Sequence, residues 1–95
     1  MPETKIPHQD DLDKTFRHLR QGKSYRVAKE FTDYDEQRHR VGESWVFIGS
    51  NFVPYDDGLS LYAAIDGVDQ QIRLQWRKEE QGGIIEHLER YLVQK

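Results

Sequence analysis

The sequence predicts a small antiparallel α+β domain: a strongly bent sheet of four to five strands, with an N-terminal helix before it and a C-terminal helix after it. Three observations carry this prediction. Apolar and polar residues alternate in several runs between Tyr25 and Trp76. Turn-forming pairs such as Asp66-Gly67 separate those runs. At both ends the apolar period lengthens to that of a helix. Short strands around an aromatic core can close into an SH3-like barrel, and an open sheet with both helices on one face fits the same pattern.

The elements follow in order. Residues 1–9 hold Pro2 and Pro7 without apolar periodicity and read as a flexible arm, leaving 10–95 as one domain. Asp10 or Asp11 would cap a first helix whose face carries Leu12, Phe16 and Leu19, and Gly22 would end it in the left-handed conformation. Tyr25, Val27 and Phe31 then alternate with Arg26, Ala28 and Glu30 as a half-buried strand. The polar run Asp33 to His39 reads as a solvated hairpin loop, after which Val41-Gly42-Glu43 re-enters the sheet. Trp45 and Phe47 oppose Val46 and Ile48, which suggests a central strand covered on both faces and stopped by Gly49. Ser50 to Gly58 reads as a loop. Leu59, Leu61, Ala63 and Ile65 form the next strand, and Ile72, Leu74 and Trp76 form its hairpin partner across Asp66-Gly67. Ile85, Leu88 and Leu92 mark the last helix, expected to begin after Gly82-Gly83 because each glycine costs about 1 kcal/mol relative to Ala.

Size and composition bound the function. Ninety-five residues hold one core. Two Trp, five Tyr and four Phe supply much of its burial at roughly 150–250 Å² each. The absence of cysteine excludes disulfides, thiolate metal sites and a cysteine nucleophile. No apolar run reaches the roughly 20 residues of a membrane helix, and the first residues lack a signal core, so the expected setting is the cytoplasm. A formal charge of −3 argues against nonspecific nucleic-acid binding, although Lys14, Arg17, Arg20, Lys23, Arg26 and Lys29 form a basic stretch without an acid.

Candidate chemistry is sparse. Asp33 and Asp35 have the spacing of the first two ligands of a calcium loop, but Arg38 and Ser44 occupy the positions where glycine and a bidentate carboxylate are needed. His8, His18, His39 and His87 share no zinc-binding spacing. No serine sits in a nucleophile elbow, and no glycine-rich phosphate loop occurs. Asp56-Asp57 and Glu79-Glu80 are carboxylate pairs that an enzyme could use, and turn chemistry explains them equally well. No cofactor is expected.

The segment Ser50 to Gly58 stands out because Phe52, Val53 and Tyr55 lie where loops are usually polar. Aromatic and proline residues beside a sheet can grip an extended ligand, with Asp56 and Asp57 recruiting basic side chains, and Tyr34 belongs to the neighbouring loop. The same rings could instead cap the sheet end. The expected function is therefore a noncatalytic protein- or peptide-interaction module using Tyr34, Phe52, Val53, Tyr55, Asp56 and Asp57. A small carboxylate enzyme and nucleic-acid binding through residues 14–29 are the alternatives, and homodimer formation through a strand edge is a related arrangement.

The phrases Lys29 to Asp35, Val41 to Trp45, Pro54 to Leu59 and Ile72 to Trp76 together resemble a family of small bacterial domains of unknown function. The resemblance covers about Tyr25 to Trp76 and extends weakly into the last helix. Where that family is expected to carry glycine after the second aspartate, Glu36 stands here. The resemblance implies a bacterial origin and this domain boundary, and it implies no substrate or catalytic residue. A likeness of Asp33-Tyr34 and Trp45 to the ligand contacts of SH3 domains is only superficial, because eleven positions leave no room for the intervening strands.

Overall fold

The computed structural model describes residues 12–54 and 57–95. Its elements are β1 (Thr15–Phe16), β2 (Leu19–Arg20), β3 (Ser24–Val27), β4 (Phe31–Thr32), β5 (Arg38–His39), β6 (Ser44–Val53), β7 (Gly58–Ile65), β8 (Val68–Gln75), α1 (Gly82–Glu86), α2 (Leu88–Tyr91) and β9 (Leu92–Gln94). β8, β7, β6, β3 and β9 form, in that order, an antiparallel five-stranded sheet that is not closed into a barrel. β1–β2 and β4–β5 are separate two-stranded ribbons. The expected arm and the proposed caps Asp10 and Asp11 lie outside the described residues.

The β7–β8 hairpin forms where the sequence places it. Ile65 pairs with Val68 across Asp66 and Gly67, whose φ angles of 51° and 87° fit a tight turn that follows the strand twist. Trp45 and Phe47 of β6 point into the core, fully buried with Tyr25, Leu61, Leu74, Ile85, Leu88 and Leu92. The other face of β6 is not covered as expected, since Val46 is 40% exposed. Val41 is also exposed and precedes the sheet, which begins again only at Ser44.

Gly49 does not end the strand. β6 continues to Val53 through a register shift between Phe47 and Gly49, so Ser50 to Val53, expected as loop, pair with β7. Gly49 is small for another reason. The chain passes over it so closely that a β-carbon there would lie 2.7 Å from the Leu12 β-carbon and 3.1 Å from the Asp13 carbonyl oxygen. Asp13 in turn exchanges two backbone hydrogen bonds with Ser50, at 2.8 and 2.9 Å.

The first expected helix is replaced by the β1–β2 hairpin. Thr15 pairs with Arg20 and Phe16 with Leu19, while Arg17 adopts a φ of 53° in the turn. Leu12, Phe16 and Leu19 do not share one stripe: Leu12 meets Gly49, Phe16 meets Trp76, and Leu19 enters the core. The buried Tyr25 hydroxyl accepts from the Arg20 amide at 2.7 Å and donates to the His18 carbonyl, so a side chain holds the hairpin's backbone. Gly22 has the expected left-handed φ, 82°, but it leads into β3 rather than ending a helix.

The last helix is broken in two at His87, and Leu92, expected on its stripe, belongs to β9 beside Val27. α1 begins at Gly82, against the expectation that it follows both glycines. Gly82 is required by contact: a β-carbon would approach the Arg77 carbonyl oxygen to 2.7 Å, whereas one on Gly83 would meet nothing within 4 Å. Gly82→Ala therefore destabilises the chain by about 1–3 kcal/mol in urea unfolding, because backbone must shift. Gly83→Ala gains up to about 1 kcal/mol by restricting the unfolded chain.

Candidate functional site

Two clusters of polar side chains are built by this fold, one inside and one outside, and the β4–β5 hairpin joins them. The inner cluster overturns the reading of Asp33 to His39 as wholly solvated. Asp33 and His39 are each only 2% exposed. His39 Nε2 lies 2.8 Å from Asp33 Oδ2, and Nδ1 lies 2.7 Å from Glu43 Oε2. Each ring nitrogen thus has its own carboxylate within hydrogen-bond distance. Glu43 Oε2 also accepts from Trp45 Nε1 at 2.7 Å, and Asp33 Oδ1 accepts the amides of Asp35 and Gln37. The imidazole stacks on Phe31, ring centroids 4.8 Å apart, with Trp45 edge-on to it.

These residue types suggest acid–base chemistry, but no substrate can reach them. The His39 side chain is 3% exposed and that of Asp33 is 2% exposed. Asp33 uses both oxygens inside the hairpin, while Asp35 turns outward to Arg73, so the pair with calcium-loop spacing serves two different jobs. Among the described residues, no group of three or more His, Cys, Asp or Glu side chains is arranged to hold a metal ion.

The outer cluster is a groove of about 330 Å³ over the outer face of β6–β8. Three cross-strand rungs make its floor. Asn51, Ser60 and Arg73 form one; Val53, Gly58 and Gln75 form the next; Tyr62 and Gln71 form the third. Glycine at position 58 leaves that end rung low. Tyr34 and Arg77 complete the walls. Tyr34 is fixed by its amide, which donates to the Arg73 carbonyl at 2.7 Å, and the Arg73 guanidinium lies 5.6 Å from the Tyr34 ring centroid.

Both arginines are held from the side. Asp35 accepts from Arg73 Nε at 3.0 Å and from Nη2 at 2.7 Å. This hydrogen bonding holds the Arg73 guanidinium above its ordinary pKa, so it stays charged. Arg77 Nε donates to Asp57 Oδ2 at 3.2 Å. A guanidinium has five N–H donors, so each arginine retains donors beyond those used on its aspartate.

The groove gathers Tyr34 and Val53, with Asp57 at its rim through Arg77. Phe52 is placed elsewhere. Its ring turns to the opposite face, 5.5 Å from Trp76, which also meets Phe16. Arg17 covers Trp76 and reaches Glu86. Trp76, which the sequence places on the apolar side of a strand with Ile72 and Leu74, is thus half-buried at a margin. Tyr55 and Asp56 lie outside the described residues. Sequence reasoning missed Asn51, Ser60, Tyr62, Gln71, Arg73 and Arg77. Their signal was the polar face of the hairpin itself: Ser60 and Tyr62 on one strand, Gln71 and Arg73 on the other, each two apart.

A family model described as a domain of unknown function, DUF3601, matches residues 6–94. The chain belongs to this family. An integron cassette protein from the mobile metagenome of Vibrio cholerae, VCH_CASS4, has the same fold as this DUF3601 chain, with a TM-score of 0.92 and 37% sequence identity. The similarity covers 95% of this chain and 100% of that one. No curated protein matches. The resemblance to small bacterial domains of unknown function therefore holds, and it extends beyond Tyr25 to Trp76 to nearly the whole DUF3601 chain.

The inner cluster makes a stability prediction. His39→Ala takes from the buried Asp33 and the half-buried Glu43 the partner they share and costs about 3–5 kcal/mol in urea unfolding. Glu43→Gln keeps an oxygen for His39 and Trp45 and costs clearly less.

Proposed function

We propose that this domain is a noncatalytic module that binds an extended polypeptide segment in the groove over β6–β8. The observation that carries the reading is the groove's lining. Tyr34, Tyr62 and Val53 give apolar walls, and the amides of Asn51 and Gln71 can pair with peptide groups. Its volume sits at the low end of the roughly 300–1,000 Å³ range of small-molecule sites, enough for a short stretch of chain. A catalytic reading lacks a comparable basis. Among the described residues the groove lining contains no carboxylate or histidine, and the imidazole flanked by carboxylates is sealed in the core.

Two measurements test this. A selection from a library of random short peptides displayed on phage, with the intact chain as bait, recovers binding sequences. Ser60→Tyr plants a ring on the central rung and lowers their affinity by at least about tenfold, or roughly 1.4 kcal/mol, while the urea midpoint stays near that of the parent. Amide NMR shifts on adding a recovered peptide then centre on residues 51–53, 58–62 and 71–77. A selection that yields nothing, or shifts centred on Phe16, Phe52 and Trp76, overturns the reading.

Stability and binding should separate in the same region. Arg73→Ala changes unfolding free energy by less than about 1 kcal/mol, because its ion pair is half-exposed. A loss larger than 2 kcal/mol, on the order of a buried interaction, would place Arg73 in the framework instead.

A further inference from the structure

We infer that the groove contains a carboxylate-recognition subsite formed by Arg73 and Arg77, so that the bound segment carries an acidic side chain or ends in its own carboxylate there. This rests on the peptide-groove reading and narrows it. The two guanidiniums line one groove, and each is anchored by an aspartate: Asp35 takes Nε and Nη2 of Arg73, and Asp57 takes Nε of Arg77. Anchoring removes part of the ordering cost that a free arginine would meet on binding. The remaining N–H groups form planar forks suited to a carboxylate's two oxygens. Arg73 is further fixed over the Tyr34 ring.

The charge count selects the kind of anion. Arg73 and Arg77 are matched one for one by Asp35 and Asp57, so this corner has no net positive field. A nucleic-acid backbone needs such a field, because its affinity comes from neutralising many phosphates and releasing counterions. At the groove edge it would instead meet Asp35 and Asp57. A single carboxylate needs only directed donors, and those are present. A lysine-bearing segment would have to compete for Asp35 and Asp57, each already paired with an arginine.

The test uses the peptides recovered in the display selection with the intact chain. Expected is enrichment of Asp, Glu or a required free C-terminus at one position. Replacing that acid by its amide weakens binding at least tenfold by NMR titration or calorimetry, as loss of a charge-assisted forked contact requires. Arg73→Lys and Arg77→Lys keep the charge but lose the fork, and each weakens the acidic peptide more than its amide counterpart while leaving the fold intact by circular dichroism. Peptides that bind in the groove with no acid, or acid and amide forms of equal affinity, overturn the carboxylate subsite and leave the groove reading standing. Lys variants that bind the acidic peptide as tightly as the parent overturn the fork as its basis. Failure of every peptide to bind overturns both.

Discussion

The imidazole of His39 is held on one side by Asp33, on the other by Glu43, and packs against the rings of Phe31 and Trp45. Much else rests on that set of contacts. The β4–β5 ribbon has only two residue pairs, Phe31 with His39 and Thr32 with Arg38, and a ribbon that short has no stability of its own in water. The buried network supplies what the ladder lacks. It fixes the ribbon against β6 through Glu43 and Trp45, and Phe31 adds an edge-on contact with Tyr91 at the end of α2. The ring nitrogens of His39 and the oxygens of Asp33 all have partners, the condition under which such a cluster orders a core rather than weakening it.

The hairpin also bears on how an open sheet guards its edges. Its edge strands are β8 and β9. From the Tyr91 side, which leads into β9, the ribbon reaches across to β8, where the Tyr34 amide bonds to the Arg73 carbonyl and Asp35 grips the guanidinium. Side chains and one backbone hydrogen bond thus span a gap that strand pairing would close in a barrel. Pairing of all edges is the usual defence against unwanted association. Here β8 is partly protected by the docked turn and by Gln81, whose side-chain oxygen accepts the Gln75 amide.

How much of this could be read from sequence depended on the range of the deciding contact. The β7–β8 hairpin was legible because its turn is local: Asp66-Gly67 alone accepts the required backbone angles at low strain. The N-terminal helix was misread because Leu12, Phe16 and Leu19 fit a helical period, while their real partners, Gly49, Trp76 and the core, are distant in the chain. Gly49 was misread for a related reason, since a glycine needed for close approach looks like one that ends a strand. Asp33 to His39 was polar enough to predict a loop, and composition cannot show that two of those side chains, Asp33 and His39, are satisfied away from water. In the groove, Tyr34 and Val53 were visible as unusual loop residues. Arg73 and Gln71 were not, because only strand register puts them beside Ser60 and Tyr62.

Stability and recognition sit at opposite ends of the same short hairpin. At its base, Asp33 and His39 are buried, and any loss of a partner leaves a polar group away from solvent. At its tip, Tyr34 and Asp35, with Arg73 of β8 facing them, are exposed to about half their area, where ion pairs contribute little to folding. The two ends are joined by main chain, and the contact that docks the tip on β8 runs from the Tyr34 amide to the Arg73 carbonyl. That bond does not depend on which side chain position 73 carries. The groove's chemistry can therefore change at Arg73 without undoing the closure of the sheet, whereas a change at His39 loosens the tip and the groove wall together.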